Sequence, residues 1–149
     1  MAGEPTEARV VSIVIRGEAD PDSVRKIVNA KFPGSIVQAV REDAAINGFF
    51  VEMIAAQTLR ANGTKNLLAK KPEVDLLLRL AGTTQISRAI EQMGAKKGKP
   101  FLLVIVGPSS GLAGLSVREL GGSELERREL SSEELDRIEQ AALLNAQKA

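Results

Sequence analysis

The sequence predicts an α/β protein, a single domain in which a mixed β-sheet of at least three strands packs against several α-helices. Three observations carry that expectation. Apolar, β-branched runs of strand length occur at residues 10–15, 36–40 and 101–107. Between and after them, apolar residues recur at helical spacing, and Pro and Gly punctuate the boundaries. At 149 residues, 44% hydrophobic and 26% charged, the chain has the size and apolar content to build one core without metal or disulfide staples.

Taken in order, residues 1–8 are small, polar and Pro-containing and read as an N-terminal tail to a domain spanning 9–149. Residues 10–15 form a buried strand closed by Gly17. Asp20 and Pro21 then supply an N-cap and a preorganised first helical residue, and Val24, Ile27, Val28 and Phe32 keep helical spacing until Pro33 and Gly34. The acidic trio Glu18, Asp20 and Asp22 is helix-start chemistry in preference to a metal site. After the second strand, Asn47 caps a helix whose stripe is Phe49, Phe50, Met53, Ile54 and Leu59. A further helix starts at Pro72, carries Val74, Leu77, Leu78 and Ala81, and stops at Gly82, a residue free to take the left-handed conformation. Thr83 or Thr84 caps the next, with Ile86, Ala89, Ile90 and Met93 on one face and Gly94 at its end. The run FLLVIVG then suits a central strand covered on both faces. Residues 108–130 are compatible with strand, short helix or loop. Ser131 and Glu134 make a capping box for a last helix bearing Leu135, Ile138 and Ala142. The connection lengths allow both crossovers and antiparallel returns, so strand order stays open.

Composition narrows the function. The chain has no Cys and no His, which removes thiolate nucleophiles, cysteine zinc sites and the commonest general base. With neither Trp nor Tyr, an aromatic platform for bases would fall to Phe32, Phe49, Phe50 or Phe101, all four of which are expected in the core. The formal charge of +1 exerts no general pull on nucleic acid, so an RNA site requires local clustering. Such a cluster exists in residues 65–71, joined by Arg60, Arg79 and Arg88 and recurring as Lys96, Lys97 and Lys99; acidic residues gather at 119–139. The opening MAGEPTEARV has no signal-peptide core and no stretch approaches the roughly 18 apolar residues of a membrane span, so a cytoplasmic location is expected.

Two constellations bear on chemistry. GPSSGLAG, residues 107–114, follows a strand but lacks the Gly-Lys-Ser/Thr ending of a P-loop; ordinary turn chemistry explains it, with a small nucleotide-binding domain as the rival. In KNLLAKKPEVDLLLRLAGTTQISRAIEQMG, cations flank a helix break whose freed amides and hydroxyls suit phosphate and sugar oxygens. Lys65, Lys70 and Lys71 would neutralise phosphates, and Arg79 and Arg88 would bind phosphate or stack on bases. Gly82 permits close approach, while Thr83, Thr84 and Gln85 offer directional hydrogen bonds. Charge patterning alone favours a solvated Lys-rich loop ahead of an ordinary capped helix.

Those same residues resemble the small accessory-subunit family of the KEOPS complex, the PRPK-binding protein family. The likeness rests on Thr58-Leu59-Arg60-Ala61, Ala69-Lys70, Asp75-Leu76-Leu77, Gly82, Gln85-Ile86, Ala89-Ile90 and Gly94, with gapless spacing from Ala69 to Gly94. IEQAALLN, residues 138–145, is similar to the family's C-terminal helix. The resemblance implies a non-catalytic subunit, without metal or cofactor, that binds the single-stranded 3′ CCA end of tRNA and an atypical protein kinase. It supports threonylcarbamoyladenosine modification, the threonylcarbamoyltransferase being a separate chain. Lys70, Gly82, Gln85 and Ile86 match the motif; Lys65, Lys71, Arg79, Thr83, Thr84 and Arg88 extend the expected tRNA site by charge and proximity. The kinase contact is expected on Ile138, Ala142, Leu143 and Leu144. Thr84 stands where the family usually has Arg, Ala81 replaces a common Ser and Arg79 a frequent aromatic; Arg79 or Arg88 is then the expected source of the missing charge. A kinase-binding subunit without RNA binding is the alternative.

Overall fold

The β-branched run at the start becomes strand β1, Ala8–Ile15, in a computed structural model that describes residues 8–16, 19–44 and 47–147. Residues 1–7 of the expected tail, Gly17 as strand end and Glu18 of the acidic trio lie outside the described residues. The chain continues through α1 (Pro21–Lys31), β2 (Ile36–Arg41) and a 3-10 turn (Glu42–Ala44) to α2 (Gly48–Ala61), α3 (Pro72–Ala81) and α4 (Ile86–Met93). It then forms β3 (Phe101–Pro108), β4 (Gly122–Glu124) and α5 (Ser132–Gln147). The α/β class is as expected. The sheet has four strands in the order β2-β3-β1-β4, and every neighbouring pair is antiparallel, so it is not the mixed sheet expected: β1 and β2 are kept from pairing in parallel by β3 between them. β3 therefore lies between β1 and β2, which run in the same direction on either side of it.

Register explains the layers. Val11, Ile13 and Ile15 sit opposite Ile105, Leu103 and Phe101, and Val37 and Ala39 continue the row opposite Ile105 and Leu103. Because side chains alternate across a strand, that row faces one side, where it packs with Val28 and Phe32 of α1 and with Leu112. Val14, Leu102, Val104, Val106, Ile36 and Val40 face the other side, against α2, α3, α4 and α5. β3 is buried from Phe101 through Gly107, which is why its sequence is apolar without alternation.

The boundary chemistry is largely the chemistry expected. Asp20 accepts from the Asp22 amide at 3.3 Å, and Asn47 accepts from the Phe49 amide at 3.0 Å. Ser131 and Glu134 exchange backbone-to-side-chain hydrogen bonds of 3.0 and 3.1 Å. Gly82 is left-handed at φ 73°. The α3–α4 junction differs in one respect. Neither Thr83 nor Thr84 is the N-cap of α4; Gln85 is, without a side-chain cap. Thr83 instead accepts from the Gln85 amide at 3.1 Å, tightening the elbow between the helices.

Several apolar residues are not where periodicity alone would put them. Of the four Phe residues, Phe49 is 44% exposed. The buried stripe of α2 is Phe50, Val51, Ile54, Ala55, Thr58 and Ala61, so Phe49 and Met53 point outward. On α4 only Ala89 is buried; Ile86 and Ile90 are 48% and 56% exposed. Ile27 of α1 is exposed as well. Residues 109–121, undecided from sequence, are turns carrying Leu112 into the core, and β4 follows them as a three-residue strand paired with Ile13, Val14 and Ile15.

Candidate nucleic-acid interface

The expected RNA segment divides between two sides of α3. Pro72 starts this helix with its ring in place of an N–H that has no helical partner, and Gly82 ends it. Residues two apart on a helix lie about 200° apart, so Leu77 and Arg79 face opposite ways. Arg79 is not an RNA contact: it is 3% exposed and held against Asp75 at 2.8 Å, with both side chains out of solvent. Its remaining donors reach the carbonyls of Ala141 and Asn66, each at 3.2 Å, and the Asn145 side chain at 3.3 Å. Asp75 also accepts from Thr58 Oγ1 at 2.6 Å and from the Leu68 amide at 2.9 Å. The pair thus joins α2, α3, α5 and the loop before α3. Four of its five N–H donors are engaged, and at this burial the guanidinium is out of reach of a phosphate.

On the opposite side of α3 is an open groove. One wall runs along Lys71, Val74 and Leu77, and the other returns along Ile86, Ile90 and Gly94. Gln38 and Ala39 of β2 form part of the lining, and Arg25 of α1 stands at the rim. β2 is an edge strand, so its outward amides need partners. Gln38 supplies one, accepting from the Ala39 amide at 3.0 Å while its Nε2 donates to the Glu73 carbonyl at 2.9 Å. Gly94 supplies another through an antiparallel bridge to Val40. The strand edge is therefore hydrogen-bonded within the protein, Glu73 also lines the groove, and the exposed Ile86 and Ile90 make an aliphatic ledge beside it.

The expected residues can now be placed. Lys71 and Ile86 line the groove, and exposed Lys70 adjoins Lys71. Neither Lys70 nor Lys71 has an ion pair among the described residues. Gly82, Thr83, Thr84 and Gln85 form the elbow beside the Leu77–Ile86 end of the groove, with Gly82 and Gln85 exposed and the threonines half-buried. Lys65 is exposed in the loop after α2 and already has an interaction. Arg88 is exposed, but two residues from Ile86 it projects from the far side of α4. Sequence reasoning missed Arg25, Gln38 and Ile90. The i, i+4 spacing of Ile90 from Ile86, which is itself an expected site residue, is the signal that points to it.

The kinase residues expected on α5 also separate. Leu144 is buried at 2% exposure, and Ile138 is half-buried against the core. Leu144 therefore belongs to the interior and is not a docking residue. Ala142 and Leu143 are exposed. α5 lies beside α2 through the Gln57 Nε2 bond to the Ile138 carbonyl, 2.9 Å, and through Arg137, whose guanidinium sits 4.4 Å from the Phe50 ring centre. Phe49 and Met53 of α2 and Leu135 and Leu143 of α5 are exposed large apolar side chains.

GPSSGLAG contains no helix start: residues 109–114 are turns, so no array of free helical amides is available for phosphate. No helix among the described residues is long and apolar enough to cross a membrane. Comparison of the chain with models of known protein families and with curated proteins finds no significant match to either.

Proposed function

We propose that this chain is a non-catalytic adaptor of the KEOPS type, acting in the cytoplasm, that holds the unpaired 3′ CCA end of tRNA in the α3–α4 groove. In this reading it also binds the complex's atypical protein kinase, supporting threonylcarbamoyladenosine modification by a separate threonylcarbamoyltransferase. The observation that carries the RNA half is the groove itself. It joins an aliphatic ledge, Ile86 and Ile90, to the strand edge at Gln38 and Ala39 and to Lys71, with Lys70 adjoining; neither lysine has an ion pair among the described residues, and Glu73 shares the lining. Apolar side chains pack on base faces, amide groups read base edges, and lysines neutralise the backbone. Single-stranded RNA has all three features on display; an A-form duplex keeps its base faces stacked and its Watson–Crick edges paired.

The kinase half rests on the outer face of α2 and α5. Leu143 and Ala142 remain available there, and Phe49, Met53 and Leu135 extend the apolar area. The alternative without RNA binding keeps this face and dispenses with the groove. Binding of intact tRNA and of tRNA lacking CCA, measured over a range of salt, separates the two. The adaptor reading expects tighter, salt-sensitive binding of intact tRNA that Lys71→Glu and CCA removal each abolish. Equal binding of both RNAs by wild type and Lys71→Glu would leave only the kinase role.

A further inference from the structure

The groove ends at Gly94, and the chain leaving it is AKKGKP. Gly98 takes a left-handed conformation, φ 82°, and the Lys99 amide donates to the Lys96 carbonyl at 3.3 Å. That turn gathers Lys96, Lys97 and Lys99 on one exposed loop. The nearby acids are already engaged. Arg16 pairs with Glu42 at 2.8 Å and Arg41 with Asp43 at 2.9 Å, whereas none of the three lysines has an ion pair among the described residues. Arg41 also anchors the loop's approach, donating to the Gln92 carbonyl at 3.1 Å. Together Arg41, Lys96 and Lys99 line a second concavity.

Residues two positions apart in the chain line the groove and this concavity. Ala39 of β2 lines the first and Arg41 the second, a separation of about 7 Å at the strand rise of ~3.3 Å per residue. On the other wall, Gly94 lines the first and Lys96 the second. A nucleotide chain whose 3′ end occupies the groove and exits past Gly94 meets the lysines with its next phosphates. Glu42 and Asp43 share the concavity, each in an exposed ion pair with an arginine, so its surplus positive charge comes from the lysines.

We propose that Lys96, Lys97 and Lys99, on a loop positioned by Arg41, form a second RNA site that binds backbone phosphates on the 5′ side of the nucleotides seated in the groove. The proposal rests on the RNA reading of the groove. It assigns the lysines to affinity and length dependence, not to recognition of the terminal bases, because they present point charges without directional base contacts.

The test is binding of the full chain, by fluorescence anisotropy at several salt concentrations, to a four-nucleotide single strand ending in CCA and to intact tRNA. The triple variant Lys96→Gln, Lys97→Gln, Lys99→Gln is compared with wild type, with a melting curve to verify the fold. The expected result is about a tenfold loss for intact tRNA, a salt slope shallower by about 2, and tetranucleotide binding within about twofold of wild type. Unchanged tRNA affinity overturns this site alone. Equal losses for both ligands also overturn it, by placing the lysines in the groove. If the variant leaves tRNA untouched but loses an acidic peptide such as poly-glutamate, the loop serves a protein partner and the RNA assignment falls. If wild type binds neither RNA, the groove reading fails and takes this site with it.

Discussion

Replacing Arg79 with Ala separates a structural role from an RNA role more cleanly than any other single change. The guanidinium is 3% exposed and its partner Asp75 is fully buried. Truncation removes the hydrogen bonds to Asp75, Ala141, Asn66 and Asn145 and leaves a buried carboxylate held only by Thr58 and the Leu68 amide. Breaking a buried ion pair from one side typically costs about 3–5 kcal/mol. For a domain of this length, each kcal/mol lowers the melting temperature by roughly 2–4 °C, so a fall of roughly 6–20 °C is expected. Removing both partners, as Asp75→Ala with Arg79→Ala, should cost less than the sum, with a coupling of about 1–3 kcal/mol. Denaturant titrations of the four proteins in the cycle read this directly. At a temperature where each variant is folded, tRNA affinity should remain within about twofold of wild type, because the side chain projects away from the groove. A melting point within about 2 °C of wild type combined with weakened tRNA binding would refute the reasoning and return Arg79 to the RNA surface.

Three further outcomes follow from the same geometry. Ile90→Glu places a carboxylate on a ledge 56% exposed; tRNA affinity should drop about tenfold or more while stability stays within about 0.5 kcal/mol, measured by anisotropy and by urea unfolding. Thr84→Arg restores a cation at the elbow, where Arg79 is unable to supply one, and should tighten tRNA binding; unchanged affinity in the same assay counts against an elbow contact. Glu134 is held below its ordinary value of 4.5, first by the Ser131 amide and then by the Asn47 side chain. A carboxyl depressed in the folded state stabilises above its unfolded pKa, and the benefit disappears as pH falls through the lower folded value. Melting temperatures should therefore decline more steeply below about pH 4.5 in wild type than in Glu134→Gln.

Local chemistry was legible in the sequence wherever one element decides it. Asn47 with Phe49 and Ser131 with Glu134 lie within a few residues of one another, and Pro72 and Gly82 each act at their own end of α3, so capping preference was sufficient. The burial of β3 was legible because an unalternating apolar run has nowhere to face except two packed layers. Partnership across long separations was not. Asp75 and Arg79 have the i, i+4 spacing of a helical ion pair, but their burial depends on α5, which contributes Ala141 and Asn145 from far along the chain. The period of α4 identified a face without revealing that Ala89 would be its one buried residue, with Met93 half-buried against the core and Ile86 and Ile90 exposed. β4 is three residues with little strand character, and Gly122 is needed because a Cβ would lie 2.3 Å from Ile13 Cγ2 and 2.7 Å from the Val14 carbonyl. That requirement exists only once β1 is beside it.

The position of β3 between β1 and β2 constrains how the chain acquires its shape. Neither of the first two strands has an adjacent strand in the native sheet until residues 101–108 arrive. During synthesis, α1 through α4 emerge while the sheet they cover is still two unjoined pieces. Pairing must then close loops of some 60 to 90 residues, an entropic cost met before the non-local contacts compensate it. Refolding should accordingly be cooperative and slower than local helix formation, with β2 and the apolar face of β1 open to wrong partners until β3 inserts. A chain truncated before residue 101 lacks the strand common to both halves and should fail to form either half of the native sheet.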